Sequence, residues 1–142
     1  MEAVGAAANF IAIIDLSAKV ATAIHQYAKD VRHARDDIHR LRKAVTDLEN
    51  VARSVRQLLD RPEGARLETS QQLLNSSNES KRQLARLYEK LRPKTASQVI
   101  RRLSYRALKW PFESKEVEEE IHDIEGYRQT MSLALQVDQT YV

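Results

Sequence analysis

Histidine and carboxylate side chains could carry catalysis or bind a metal ion in this sequence, but their spacing argues against both. The four histidines are His25, His33, His39 and His122. His33 and His39 are six residues apart, so on a helix they lie on different faces and do not form a ligand pair. The acidic runs at 36–37 and 118–120 are contiguous, which points neighbouring carboxylates apart. With no glycine-rich phosphate loop and no nucleophile elbow, we expect no enzyme, no metal and no cofactor.

Composition narrows the class of protein further. The 142 residues match the size of one ordinary domain, and the chain contains no cysteine. Structural disulfides, thiolate catalysis and cysteine-based zinc sites are therefore excluded, and a reducing, intracellular setting fits best. Only three glycines and three prolines occur, which leaves little turn chemistry for a β fold. The composition predicts an all-α protein.

Charge is segregated in the last third of the sequence. Residues 90–112 contain seven basic side chains and no acid, whereas residues 113–125 contain seven acids and one base. Each base close to an anionic membrane is worth about 1 kcal/mol, so we expect anionic lipid as a partner. The side chains expected at the lipid head groups are Arg101, Arg102, Arg106, Lys109 and Trp110. Two plainer interpretations stay open, namely a solvated basic face paired with the acids, and Trp110 as a core anchor at an interhelix corner.

An uncharged segment from Ala3 to Ile14 precedes the first charged helix positions, Asp15 and Lys19. No base comes before it, so we do not expect a secretory signal. A permanent span is not expected either, because Asp15 and Lys19 each cost about 2.5–3.5 kcal/mol near a bilayer centre. The segment fits a core helix or a conditional membrane helix. The residues expected to insert are Val4, Gly5, Phe10, Ile11, Ile13, Ile14 and Leu16.

A heptad pattern of apolar residues runs through the first 60 residues. One position is occupied by Phe10, Ile24, Val31, Ile38, Val45, Ala52 and Leu59, and the other by Ile13, Val20, Tyr27, Ala34, Leu41, Leu48 and Val55. Only Ser17 interrupts the pattern, and no glycine or proline occurs between Ala6 and Arg61. The sequence permits one very long helix, which a compact domain must fold back. We predict helices over 3–27 and 30–60, with the bend between His25 and Arg35 and Asp30 capping the second helix.

Proline and glycine divide the remaining chain. Helices are predicted over 67–91, 96–109 and 114–138, with fraying expected in the polar middle of the first, at 75–82. Ser114 is the expected N-cap of the last helix, whose first turns are acidic as the helix dipole favours. Together these elements predict a single helical bundle of four to five helices over residues 1–142.

Three segments resemble the fungal HeLo-like domain, and the resemblance covers essentially the whole chain. They are MEAVGAAANFIAIIDLSAKV, DDIHRLRKAVTDLENVARSVRQLL and LKWPFESKEVEEEIHDIEGYRQTMSLALQVDQT. HeLo-like domains occur at the N-terminus of fungal NOD-like (STAND) receptors and of amyloid-controlled cell-death effectors. They are related to HeLo domains and similar in architecture to the four-helix bundle of the mixed-lineage kinase-like necroptosis protein.

The resemblance implies a cell-death-inducing domain that is activated by oligomerisation and permeabilises membranes through its N-terminal helix. It places the domain in fungal programmed cell death, heterokaryon incompatibility or innate immunity. The domain would be cytoplasmic when inactive and at the plasma membrane when active. A downstream nucleotide-binding or amyloid module would then supply self-association.

The alternative is a non-lytic helical interaction module at the N-terminus of a NOD-like receptor. The heptad pattern is compatible with both, because its apolar positions can face an intramolecular core or a partner. Nucleic acid is not expected, since no recognised reading motif accompanies the basic residues.

Overall fold

The computed structural model describes residues 2–31, 33–61, 71–92 and 110–140, without the side chains of residues 2–6, 30 and 137–140. These ranges contain four helices and no strand, which confirms the predicted all-α bundle. The helices are α1 (Glu2–Asp30), α2 (Arg35–Leu59), α3 (Gln71–Leu91) and α4 (Ser114–Thr140). The short helix predicted over 96–109 lies outside the described residues.

Helix α1 packs between α2 and α3. A four-residue linker joins α1 to α2, so these helices form an antiparallel hairpin. Contacts between α1 and α3 join the start of one helix to the start of the other, and the end of one to the end of the other. Asn9 bonds Ser77 near the start of both helices, and Tyr27 bonds the carbonyl of Leu91 at the end of both. Helices α1 and α3 therefore run parallel.

Helix α4 packs between α2 and α3 on the opposite side of the bundle. Its first turn contacts the start of α2, where Ser114 bonds Asp37. The same turn contacts the end of α3, where Lys90 bonds Glu116. Helix α4 therefore runs parallel to α2 and antiparallel to α3, which places the aromatic residues before α4 at the end of the bundle that holds the α1–α2 linker.

The heptad residues of α1 and α2 form the core of this bundle. Thirteen of the fourteen are buried, and Ala34 is half-buried against them. Helix α3 adds Leu73, Leu84, Leu87 and Leu91, and α4 adds Val117, Ile124 and Met131. The heptad pattern thus faces an intramolecular core in this structure.

The predicted bend between the first two helices falls at residues 31–34, but Asp30 does not cap α2. Asp30 is the last residue of α1, and Val31 N–H continues the helical bonding to Tyr27 O at 2.9 Å. Ala34 occupies the N-cap position of α2 with φ −118° and ψ 26°, and no side chain caps it. Asp30 is therefore helical and does not serve as the N-cap of α2, and the buried Val31 holds the chain against the core directly after it.

The prediction that the helix frays within residues 75–82 is also wrong. Helix α3 is continuous from Gln71 to Leu91, and Ser76, Ser77 and Ser80 are buried on its inner face. Ser80 Oγ donates to Ser76 O at 2.6 Å and Ser77 Oγ to Leu74 O at 2.8 Å, so these hydroxyls bond the helix's own carbonyls. Their small size suits the close approach of α1, which local helix propensity does not register.

The N-cap of α4 lies one residue before the predicted Ser114. Val117 N–H donates to Glu113 O, and Glu113 N–H donates to Glu116 Oε1 at 3.3 Å, as the third-position glutamate of a capping box does. The Ser114 hydroxyl is free to bond another helix and donates to Asp37 Oδ2 at 2.7 Å. Ser114 therefore positions α4 against α2.

Replacing Leu48 with alanine should lower the free energy of unfolding by about 2–5 kcal/mol, because Leu48 is fully buried and the change leaves a cavity. Thr46→Ala, at an exposed site two residues away, is the matched control and should change it by less than about 0.5 kcal/mol. Urea denaturation followed by circular dichroism measures both. Equal stability of the two variants would contradict the assignment of α2 to the core.

Candidate functional site

The candidate membrane helix is built into the bundle on two sides. Of the residues expected to insert, Phe10 and Ile13 are fully buried, and Ile14 and Leu16 are partly buried against the core. Ile11 points outward with half of its surface exposed. Val4 and Gly5 lie on the first turns of α1, before the described side chains begin. Helix α1 is therefore a core helix in this conformation.

By length and composition, Ala7–Lys29 is nevertheless long and apolar enough to cross a membrane. It is the one candidate span within the described helices. This is weak evidence by itself, because the core helix of a soluble protein passes the same test. The two charges near its centre, Asp15 and Lys19, form an ion pair at 3.1 Å along the helix.

A polar cluster joins α1 to α3, and we call it the α1–α3 polar layer: Asn9, Ser77, Asn78 and Lys81. Asn9 is almost completely buried, and its Nδ2 donates to Asn78 Oδ1 at 2.7 Å and to Ser77 Oγ at 3.2 Å. Lys81 Nζ donates to Asn9 Oδ1 at 3.0 Å. One asparagine side chain thus uses both ends of its amide to fix the register of α1 on α3.

Sequence reasoning missed this layer. Its only sequence signal is Asn9, a lone amide within the uncharged segment, whose partners lie in the stretch expected to fray. Two further buried hydroxyls, those of Ser17 in α1 and Ser76 in α3, have no hydrogen-bond partner among the described residues. Asn9 and its partners give the contact of α1 with α3 a buried polar component.

A surface groove of about 330 Å³ follows the same helix pair towards its other end. Its lining combines charged and polar side chains with small ones. The residues are Asp15, Ala18, Lys19, Thr22, Ala23, Gln26, Tyr88 and Arg92. Packing of α1 on α3 thus leaves open space outside the buried polar layer.

Trp110 lies at the interhelix corner before α4, with only 5 % of its surface exposed. Its ring packs edge-to-face on Tyr27 at 5.4 Å and on Phe112 at 5.1 Å between centroids. Tyr27 Oη donates to Leu91 O at 2.7 Å, and Lys90 Nζ lies 4.6 Å from the centre of the Phe112 ring. This is the core-anchor arrangement that the sequence left open, and a lipid contact by Trp110 would require the corner to open.

The four basic residues expected beside Trp110, namely Arg101, Arg102, Arg106 and Lys109, lie outside the described residues, so their contact with lipid stays a prediction. The adjoining acidic helix does pair with bases of other helices. Glu116 bonds Lys90, which with the Glu113 N–H lowers the pKa of that carboxyl, and Glu118 bonds Arg40, which lowers its pKa likewise.

One acid of α4 is in a different environment. Glu120 lies half-buried between α3 and α4, and burial raises the pKa of its carboxyl. Gln83 Nε2 donates to Glu120 Oε2, and Tyr127 Oη donates to Gln83 Oε1 at 2.9 Å. Removal from water also raises the pKa of Tyr127. These hydrogen bonds hold the Glu120 carboxylate in a half-buried position, where its charge is partly removed from water.

The histidine and carboxylate side chains of the described residues lie apart from one another. Within 7–31, 33–61, 71–92 and 110–136, no group of three or more histidine and carboxylate side chains converges as a metal site would require. His25 Nδ1 lies 3.1 Å from Arg42 Nη1 at the surface of the α1–α2 hairpin. What the described geometry offers is a helix-docking surface, centred on α1.

The fold and this surface define a class, an all-helical bundle domain in which an apolar first helix packs between two neighbours and is joined to one of them by a buried polar cluster. The chain belongs to the family described as "Pigment biosynthesis cluster protein PigL N-terminal", whose model matches residues 1–139. This match is consistent with a helical N-terminal domain of a fungal protein, but it does not confirm the HeLo-like resemblance. No curated protein and no solved structure matches the chain.

Replacing Asn9 with alanine should lower the free energy of unfolding by about 1–3 kcal/mol, because it leaves the buried Ser77 hydroxyl and the Asn78 amide without their α1 partner. Asn50→Ala on the exposed face of α2 is the control and should be neutral or slightly stabilising. Thermal and urea denaturation measure both variants. Asn9→Ala as stable as Asn50→Ala would contradict a structural role for the polar layer.

Replacing Glu120 with glutamine should stabilise the protein at neutral pH, by less than about 1 kcal/mol because the carboxylate keeps some contact with water. The folded state disfavours the charged form, so this gain should shrink as the pH falls through the raised pKa of Glu120. Glu119→Gln, at the exposed neighbouring position, is the control. Melting temperatures between pH 4 and 8 test this, and a gain independent of pH would contradict it.

Proposed function

We propose that this domain is a membrane-permeabilising domain of the cell-death type, and that oligomerisation drives α1 from the bundle into the membrane. It acts without catalysis. The proposal is carried by one observation: the described helix that is apolar enough to span a bilayer is held to α3 by a polar layer. A core helix that only had to stay in place would be better served by apolar contacts on both sides.

Release into water alone is costly. Phe10, Ile13, Val20 and Ile24 are fully buried, and exposing them costs about 1.5–3 kcal/mol each, or roughly 6–12 kcal/mol together. This is comparable with the whole stability of an ordinary domain. The bundle therefore keeps α1 docked unless another apolar environment receives it, and a bilayer is such an environment.

Two features reduce the cost of transfer to lipid. Asp15 and Lys19 are already paired along α1, so the two charges need not be desolvated separately. The surface that α1 leaves on α3 contains Ser77, the partner of Asn9, and water can hydrate this hydroxyl once it is exposed. Insertion of one helix remains marginal, which is why linking several copies by oligomerisation would make it favourable.

In this proposal the domain is cytoplasmic when monomeric and binds the plasma membrane when assembled. Anionic lipid is the partner, and Arg101, Arg102, Arg106 and Lys109 supply the charge that attracts it. A downstream nucleotide-binding or amyloid module would cause the assembly, in fungal programmed cell death, heterokaryon incompatibility or innate immunity.

A second candidate is the non-lytic interaction module at the N-terminus of a NOD-like receptor. It is favoured by the full burial of Phe10, Ile13, Val20 and Ile24, which gives α1 a structural role that needs no membrane. This candidate predicts a stable dimer or heteromer in solution and no dependence on lipid. Sedimentation velocity together with liposome binding separates the two functions.

A reversible tether between α1 and α3 should abolish release of dye from liposomes. The domain is fused to an inducible oligomeriser, and Asn9→Cys with Lys81→Cys is joined by a short thiol cross-linker that dithiothreitol cleaves. The chain has no cysteine of its own, and the two side chains lie within hydrogen-bond distance, so the reagent acts only across this contact. We expect release only after induction, with anionic lipid, and with the tether cleaved.

The two single-cysteine variants, treated with the same reagent, control for the substitutions and should release dye without cleavage. Deletion of residues 2–16 and charge reversal at Arg101, Arg102, Arg106 and Lys109 should each reduce membrane binding. The tether is the sharper test, since the deletion also removes Phe10 and Ile13 from the core. Dye release that is equal with the tether intact or cleaved would refute insertion of α1, and intact liposomes throughout would favour the interaction module.

A further inference from the structure

The linker between α1 and α2 contains no chemistry that specifies a turn. Its residues are neither glycine nor proline, and nothing in the sequence from Ala7 to Asp60 is either. Ala34 at the N-cap position provides no side-chain hydrogen bond to the first turn of α2. Val31 N–H still bonds in the helical pattern, and Ile38 N–H bonds Ala34 O at 2.9 Å. Packing of Val31 and Ala34 on the core therefore holds the bend in place.

The heptad phase continues through this bend without a shift. The steps from Ile24 to Val31 to Ile38 are seven residues each, as are those from Tyr27 to Ala34 to Leu41. A hairpin does not need this continuity, because its second helix can begin at any rotation after the turn. A straight helix does need it, since only a constant phase keeps one apolar seam on one side of the helix.

We propose that α1 and α2 can straighten into one continuous helix, and that the partner which then covers its seam is a second copy of this chain. In such a dimer, α1 of each copy occupies the place of α1 in the other bundle, between α2 and α3. Exchange of an identical element is a low-cost route to a dimer, because every contact of the bundle is reused. This inference does not rest on the membrane proposal.

The antiparallel direction of α1 and α2 in the monomer is compatible with this exchange. In the monomer α1 and α2 pack antiparallel as a hairpin. In a two-fold symmetric dimer the two straightened helices also lie antiparallel, so that α1 of one copy meets α2 of the other in the orientation it has in the monomer. Both heptad positions of each long helix then face the other long helix and the two cores. The α1–α3 polar layer re-forms between copies and sets the register.

His33 is the position at which to test the hinge, because its side chain is exposed in the linker. His33→Ala favours a continuous helix and His33→Gly disfavours it. The dimer contains two straightened hinges, so its dissociation constant should be about 30-fold lower for the alanine variant than for the glycine variant. Sedimentation equilibrium over a range of concentrations, after refolding at high concentration, measures both constants.

Cross-linking identifies the exchange itself. The single variants Asn9→Cys and Lys81→Cys, one of them isotopically labelled, are refolded together in the His33→Ala background and treated with a short bismaleimide. In an exchanged dimer residue 9 of one copy lies beside residue 81 of the other, so we expect a mixed cross-link in the dimer fraction. Insertion of Gly-Ser-Gly-Ser after His33, which frees the hairpin, should abolish dimer and cross-link together.

A dimer without the mixed cross-link would overturn the proposal, because it would show association through another surface. A monomer at every concentration, in the His33→Ala variant as well, would overturn it too. Equal dissociation constants of the alanine and glycine variants would show that the hinge does not straighten. The membrane proposal is untouched by these outcomes, since dye release with the α1–α3 tether is measured separately.

Discussion

Burial of α1 is the constraint on which the other helices depend. Helix α1 lies between α2 and α3, and no extensive contact joins α2 to α3 directly within the described residues. Its large side chains, Phe10, Ile13, Val20 and Ile24, are fully buried in the bundle. Without α1, the heptad face of α2 and the part of α3 that holds Ser77 would both open to water. The stability of the domain is therefore largely the stability of one docked helix.

The two sides of α1 are held by different interactions. Towards α2 the contact is a continuous apolar seam, whose free energy grows with the buried area and has no sharp geometric requirement. Towards α3 the contact depends on Asn9, whose amide must meet Ser77, Asn78 and Lys81 together. A buried amide of this kind adds little net free energy but penalises every other register. The apolar side thus supplies stability and the polar side supplies register.

The far end of α1 is secured by the aromatic corner. Tyr27 bonds the last carbonyl of α3 and packs on Trp110, which in turn packs on Phe112. The ion pairs of Glu116 and Glu118 surround this corner at the surface, where such pairs contribute little to stability and mainly orient α4. The PigL N-terminal family model matches residues 1–139, a range that runs from α1 into the last turn of α4. The membrane and interaction hypotheses differ only in whether α1 ever leaves it.

The amino-acid sequence determined the helical class, the core faces of α1 and α2, and the region of the bend. These follow from periodicity, which is a local property, so Phe10, Leu41 and Leu48 could be assigned to one apolar seam without coordinates, whereas the fold decided that this seam faces the core. Capping was less predictable. Asp30 and Ser114 are good capping residues, yet Asp30 is the last residue of α1, and the Ser114 hydroxyl bonds Asp37 while Glu113 occupies the N-cap of α4.

Tertiary structure alone decided the polar layer and the position of Trp110. Ser76, Ser77 and Ser80 are mediocre helix formers that suggested fraying, but all three are buried in the bundle and Ser77 accepts a hydrogen bond from Asn9 of α1. Trp110 suited a membrane surface or a core corner in the sequence, and its burial depends on Tyr27, which only the fold brings beside it. Contacts of this kind join residues far apart in the sequence, 68 positions between Asn9 and Ser77, and no local pattern encodes a pairing at that separation.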